Sequence, residues 1–77
     1  MKEVTLSDGR IATIAPGKGK HANEAMKISN GKGEEYLVCL MAQLITIDGK
    51  GIVKEDLEEM PLKDFTVLQT EFADVNF

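Results

Sequence analysis

The chain has 77 residues, 43% of them hydrophobic and 29% charged, with 13 acidic against 9 basic side chains for a net charge of −4. That balance describes one small folded domain, not a disordered segment, and a domain of this length buries only about 60% of the surface its unfolded chain exposes. The negative charge removes any general attraction to nucleic acid or an anionic membrane, and the one local basic group, Lys18, Lys20, His21 and Lys27, is interrupted by Glu24 and lacks an aromatic neighbour for base stacking.

A single cysteine cannot close an intramolecular disulfide, and the opening MKEVTLSDGR has no apolar signal core, so a cytoplasmic setting is expected. From Val4 to Ile14 two β-prone runs, VTL and IATI, flank Asp8-Gly9, a dipeptide that tolerates the positive φ angles of a tight turn; residues 1–15 are therefore read as a β-hairpin. Two registers are open. With a two-residue turn, Leu6 faces Ile11 and Val4 faces Thr13. With a three-residue loop, Ser7 to Gly9 and a bulge at the glycine, Val4 and Leu6 align with Ala12 and Ile14; this is the more apolar face and the preferred register. Pro16 stops the second strand.

The tripeptide Gly-Lys-Gly occurs at 17–19, 31–33 and 49–51, and the segments between share no pattern, so the three copies read as separators that divide the chain into hairpin, helix, helix, helix. His21 to Ser29 is the first helix, with Ala22, Ala25, Met26 and Ser29 on one face and Asn30-Gly31 as its stop. Glu34 to Ile47, EEYLVCLMAQLITI, is the longest apolar run. At helical spacing Leu37, Leu40, Met41, Leu44 and Ile45 share a face, Val38, Cys39 and Ala42 widen it, and only Glu35, Gln43 and Thr46 form a polar strip. It is too short for a bilayer, which needs roughly 20 apolar residues, and reads as the central core helix.

Val53 to Glu59 fits a short helix with Leu57 inward and its charges solvated. Pro61 suits a first helical turn, so a last helix is expected from there to about Asp74. Its stripe, Leu62, Phe65, Leu68, Phe72 and Val75, is the natural partner of the central helix. The expected fold is α+β, a single domain with an N-terminal β-hairpin followed by three to four short helices over residues 20–77.

Fragments that resemble catalytic or ligand motifs fail residue by residue. Ala15 to His21 lacks the glycine spacing and the hydroxyl after lysine of a phosphate-binding loop. Asp48 to Leu57 puts lysine where a calcium ligand is needed and leucine where the bidentate glutamate belongs. Cys39 and His21 are the only soft or imidazole groups, too few for zinc, and Cys39 lies in an apolar helix as a small hydrophobe would. Glu55, Asp56, Glu58, Glu59 and Asp64 have nothing apolar around them to separate two pKa values and read as a solvated face. No cofactor is implied and no enzyme is expected. Apolar surface exceeds what a small monomer covers easily, so self-association or helix binding is expected; the candidate contact residues are Leu62, Phe65, Leu68 and Phe72, then Tyr36 and Leu40, for which core packing predicts the same positions.

The order of elements adds a resemblance. The opening VTLSDGRIATI, the mid-chain EYLVCLMAQLI with its glycine loop, and above all EDLEEMPLKDFTVLQTEF resemble the small tail assembly chaperones of Mu-like contractile-tailed bacteriophages and prophages. Asp56, Leu57, Met60, Pro61, Asp64, Phe65, Leu68 and Gln69 stand in that family's acidic "dL..LP..DF..Lq" pattern, while Pro16-Gly17-Lys18-Gly19 replaces a longer polar segment after the second strand. The resemblance implies a non-enzymatic protein of the bacterial host cytoplasm that binds the helical tape measure protein and keeps it soluble while tail tube subunits polymerise around it. It also implies a possible longer frameshifted form that recruits the tail tube protein. Two other classes stand beside it: an adaptor for a different helical protein, and a small-molecule or nucleic-acid binder using the lysines around Gly17 to Lys20.

Overall fold

Two Asp-Gly dipeptides, not one, close hairpins in this chain. The computed structural model describes residues Met1 to Phe77. Strands β1 (Lys2–Thr5) and β2 (Ile11–Ile14) run antiparallel with Val4 opposite Ala12 and Lys2 opposite Ile14. The Leu6 N–H donates to the Arg10 carbonyl at 2.8 Å and the Gly9 N–H to the Leu6 carbonyl at 3.0 Å, with Gly9 at φ +91°. This is the three-residue loop with a glycine bulge, the register that gathers Val4, Leu6, Ala12 and Ile14 on one buried face. The Asp8 carboxylate accepts from the Arg10 backbone N–H and Nε, and those contacts, the backbone bond first, hold it below its usual range.

The second hairpin corrects the sequence reading. The central helix, α2 (Gly33–Leu44), stops three residues short of Ile47, and Ile45–Ile47 forms β3, followed by β4 (Lys50–Gly51). Asp48 at φ +52° and Gly49 at φ +79° make the two-residue turn with both φ angles positive. Gly49-Lys50-Gly51 is thus turn and strand, not a separator, and residues 20–77 are not purely helical. Ile-Thr-Ile leaves the helix because β-branched residues fit a pleated, half-buried surface, and β2 offers one. Ala12 pairs with Ile47 and Ile14 with Ile45, giving an antiparallel sheet in the order β1-β2-β3-β4. Asp48 fastens the new hairpin to β2, accepting from the Ile11 N–H at 3.0 Å and donating its own N–H to the Ile11 carbonyl at 2.8 Å.

One face of the sheet, Val4, Ala12, Ile14, Ile45 and Ile47, is buried in the core, and the alternate residues Glu3, Thr5, Ile11, Thr13 and Thr46 are exposed or half-buried. The first helix, α1 (Gly19–Ile28), ends in a Schellman motif: Asn30 and Gly31 have positive φ, and their N–H groups donate to the Lys27 and Met26 carbonyls. Ala25 and Ser29, four residues apart, face inward and let α1 lie close to α2. Met26, expected on that face, is rotated off it and stays 53% exposed. Helix α3 (Lys54–Glu58) seats Leu57 in the core, is capped by Asp56, which accepts the Val53 N–H at 2.9 Å, and is tied to α2 by the Lys54–Glu35 ion pair.

The last helix, α4 (Leu62–Asn76), makes its close approaches to β1 and β2, where the sequence suggested α2 as its partner. The sheet supplies the wide apolar surface that a helix stripe needs, and α2 is already flanked by α1 and α3. Lys2 donates to Glu71 at 2.7 Å, fixing β1 to α4. At the far end Asn76 accepts the Gly17 N–H through Oδ1 at 2.6 Å and donates to the Ala15 carbonyl through Nδ2 at 3.3 Å, so the linker after β2 is held against the end of α4. A Cβ at Gly17 would press on the end of the Leu44 side chain, so a larger residue there would require Leu44 to shift.

Candidate binding groove

On α4 the buried line is Asp64, Leu68 and Phe72, spaced by four. At 100° per residue Phe65 lies about 60° and Leu62 about 120° around the helix from Leu68. The two candidate contact residues nearest the start of α4 therefore rotate out of the core: Leu62 is 79% exposed and Phe65 half-buried. Leu68 and Phe72, at 0% and 1%, are core residues, and so is Leu40 on α2. Tyr36 is half-buried in a separate cleft of about 250 Å³ beside Leu40, Gly17 and Phe77. Of the six sequence candidates the fold thus brings Leu62 and Phe65 together at the start of α4, places Tyr36 and Leu40 together at the separate cleft, and buries Leu68 and Phe72 in the core.

Leu62 and Phe65 form one side of a groove of about 380 Å³, with Val38 of α2 opposite, Leu57 and Met60 between, and Glu58 at the rim. Leu57 and Met60 are buried and form the floor, so the upper walls, not the floor, are open to a partner. The first turn of α3 is tied to α2 beside the groove by the Lys54–Glu35 ion pair. Glu35 is held below its ordinary value chiefly by the Lys54 hydrogen bond, and Lys54 is raised above its own chiefly by Glu35.

Sequence reasoning missed the position of Asp64. The sequence groups it with the solvated acids, yet it is 6% exposed and accepts from the Ser7 N–H at 3.0 Å and the Ser7 hydroxyl at 2.7 Å. The remaining acids of that group, Glu55, Asp56, Glu58 and Glu59, are exposed and form no ion pair. A second cleft of about 350 Å³, between Ile28, Cys39 and Ala42 on one side and Ile52 and Val53 on the other, contains Gln43, whose buried Nε2 finds no acceptor. Near Gly17 to Lys20, His21 is used structurally, its Nδ1 accepting the Lys18 N–H at 2.9 Å. No group of three metal-ligating side chains comes together, and no helix is long and apolar enough to cross a membrane.

No protein-family model, curated protein or solved structure matches the chain.

Proposed function

We propose that the protein is a tail assembly chaperone that holds one helical face of a tape measure protein in the groove between α2, α3 and α4, keeping that partner soluble during tail assembly. The observation that carries the reading is the exposed pair Leu62 and Phe65 above a buried apolar floor: a small domain that leaves a leucine 79% exposed beside a half-buried phenylalanine has apolar surface to offer a partner. The resemblance of EDLEEMPLKDFTVLQTEF to the chaperone pattern covers the same segment, with Leu57, Met60 and Phe65 in its apolar positions. Self-association belongs to the same proposal, since Ile11 and Met26 are exposed away from the groove and give a second copy somewhere else to dock.

The test is co-expression with the tape measure protein of the same genome. Wild-type protein is expected to move that partner into the soluble fraction and co-purify with it, and Leu62→Asp, which alters an exposed side chain, is expected to abolish both while leaving the circular dichroism spectrum and melting temperature unchanged. A partner that stays insoluble beside folded wild-type protein would overturn the chaperone reading.

A further inference from the structure

The two ends of the sheet differ. At one end β4 has only two residues, Lys50 and Gly51. At the other end β1 is open. The Leu6 N–H donates to the Arg10 carbonyl, while on the far side of β2 the Asp48 N–H donates to Ile11 and the Ala15 N–H to Leu44. The alternation of an antiparallel ladder then turns the backbone groups of Lys2, Val4 and Leu6 toward β2 and those of Glu3 and Thr5 out of the sheet. Glu3 and Thr5 are both exposed. The next outward N–H, that of Ser7, is taken by Asp64, which ends the open stretch. Lys2, a cation that could guard the edge, is instead drawn onto α4 by Glu71.

We infer that a second copy of the chain docks on this edge, β1 against β1 about a two-fold axis at Val4, making one continuous sheet of the two. This rests on the self-association proposed above and gives it a place; it does not depend on what the groove holds. With the axis at Val4, Glu3 of each copy faces Thr5 of the other and exchanges both backbone hydrogen bonds with it. An axis at Glu3 would set two carboxylates opposite each other, and an axis at Thr5 would bring Glu3 against Ser7, whose N–H is already given to Asp64. The helices fit the same axis. Lys2 bonds Glu71 and Ser7 bonds Asp64, so α4 runs antiparallel to β1 and the axis passes its middle. Val67 stands there, 44% exposed, one turn before Glu71 and about 160° around α4 from Phe65, on the side away from the groove. Because α4 packs on both β1 and β2, a strand spacing of about 4.8 Å puts the two copies of α4 about 10 Å apart, an ordinary distance for packed helices. Val67 then meets its counterpart, and Lys63, which has no ion pair within its own chain, comes toward Glu71 and Asp74 of the second copy.

The test is sedimentation velocity over a concentration series, with cysteine crosslinking as a second readout. Wild-type protein is expected to reach twice the monomer mass, and Thr5→Pro, which removes an outward N–H and spares the bonds to β2, to stay at the monomer mass. Val67→Asp, a surface change that sets two carboxylates across the axis, is expected to do the same while leaving the circular dichroism spectrum unchanged. Helices about 10 Å apart bring the two Val67 Cα atoms to about 5–6 Å, within reach of a disulfide. Val67→Cys is therefore expected to give a covalent dimer under mild oxidation and Met26→Cys, on α1, to give none; the native Cys39 is buried and does not compete. A monomer at every concentration would overturn the inference and the self-association with it. A dimer that withstands both Thr5→Pro and Val67→Asp, or that crosslinks through Met26→Cys and not Val67→Cys, would overturn the edge and leave self-association on another surface.

Discussion

Replacing Asp64 by alanine tests how the hairpin is joined to the last helix. Its carboxylate is almost fully buried and accepts two hydrogen bonds from Ser7, one from the backbone N–H at 3.0 Å and one from the hydroxyl at 2.7 Å. A hydrogen bond to a charged acceptor contributes about 1.5–3 kcal/mol, and because Ser7 is itself exposed, the lower end applies to each; Asp64→Ala is expected to cost about 2–4 kcal/mol. At about 4–8 °C per kcal/mol for a domain of this size, the melting temperature falls by about 8–32 °C. Asp64→Asn keeps an acceptor for the N–H and a donor for the hydroxyl, so it is expected to lose roughly half as much. Ser7→Ala removes the hydroxyl alone and is expected to cost about 1 kcal/mol in the wild-type background and close to nothing in Asp64→Ala. Thermal and urea unfolding of the four proteins completes the cycle. A loss under about 0.5 kcal/mol for Asp64→Ala, or strict additivity of the two substitutions, would refute the joint and leave Asp64 with only its first-turn interaction with the α4 dipole.

Two further outcomes follow from the charges and the turns. Glu35 is held below its ordinary value of 4.5 and Lys54 above its ordinary value of 10.5, each chiefly by the other, so their contribution is complete between those values. It is lost as pH falls below 4.5 through the depressed Glu35 value and as pH rises above 10.5 through the raised Lys54 value; chemical denaturation across pH should show Glu35→Gln with a flatter profile than wild type on both sides, and identical profiles would reject the pair as a source of stability. Gly49→Ala, at φ +79°, should cost about 1–2 kcal/mol in urea unfolding, while Gly51→Ala, in β4 with open space at its Cβ position, should change little; equal effects would reject the second turn.

The hairpin and its register were legible because local chemistry and burial agree there: Asp8-Gly9 permits the turn, and only one register puts Val4, Leu6, Ala12 and Ile14 on one side. Pro61 marked the start of α4 equally well. Asp48-Gly49 carries the same turn signal as Asp8-Gly9 but sits behind a run whose helical periodicity extends through Ile45, and the strands beside it have three and two residues. Pairing with β2, 31 residues away along the chain from Ile14 to Ile45, decides the matter, and no local pattern contains it. The groove was legible in part. The apolar stripe named Leu62 and Phe65 together with Leu68 and Phe72, but periodicity cannot say which edge of a stripe faces the sheet. That edge is set by Asp64, whose partner Ser7 lies 57 residues earlier in the chain.

The two hairpins have different standing in the order of assembly from the seam between them. β1 with β2, and β3 with β4, each close over a turn of a few residues and can form as soon as their own segments are free to fold. The β2–β3 seam closes a loop that contains both α1 and α2, so its entropy is met only once those helices have drawn the ends together. A short α-helical pair thus serves as the tether that makes a single sheet out of two local ribbons, and the docking of α4 on β1 spans a longer stretch of chain still.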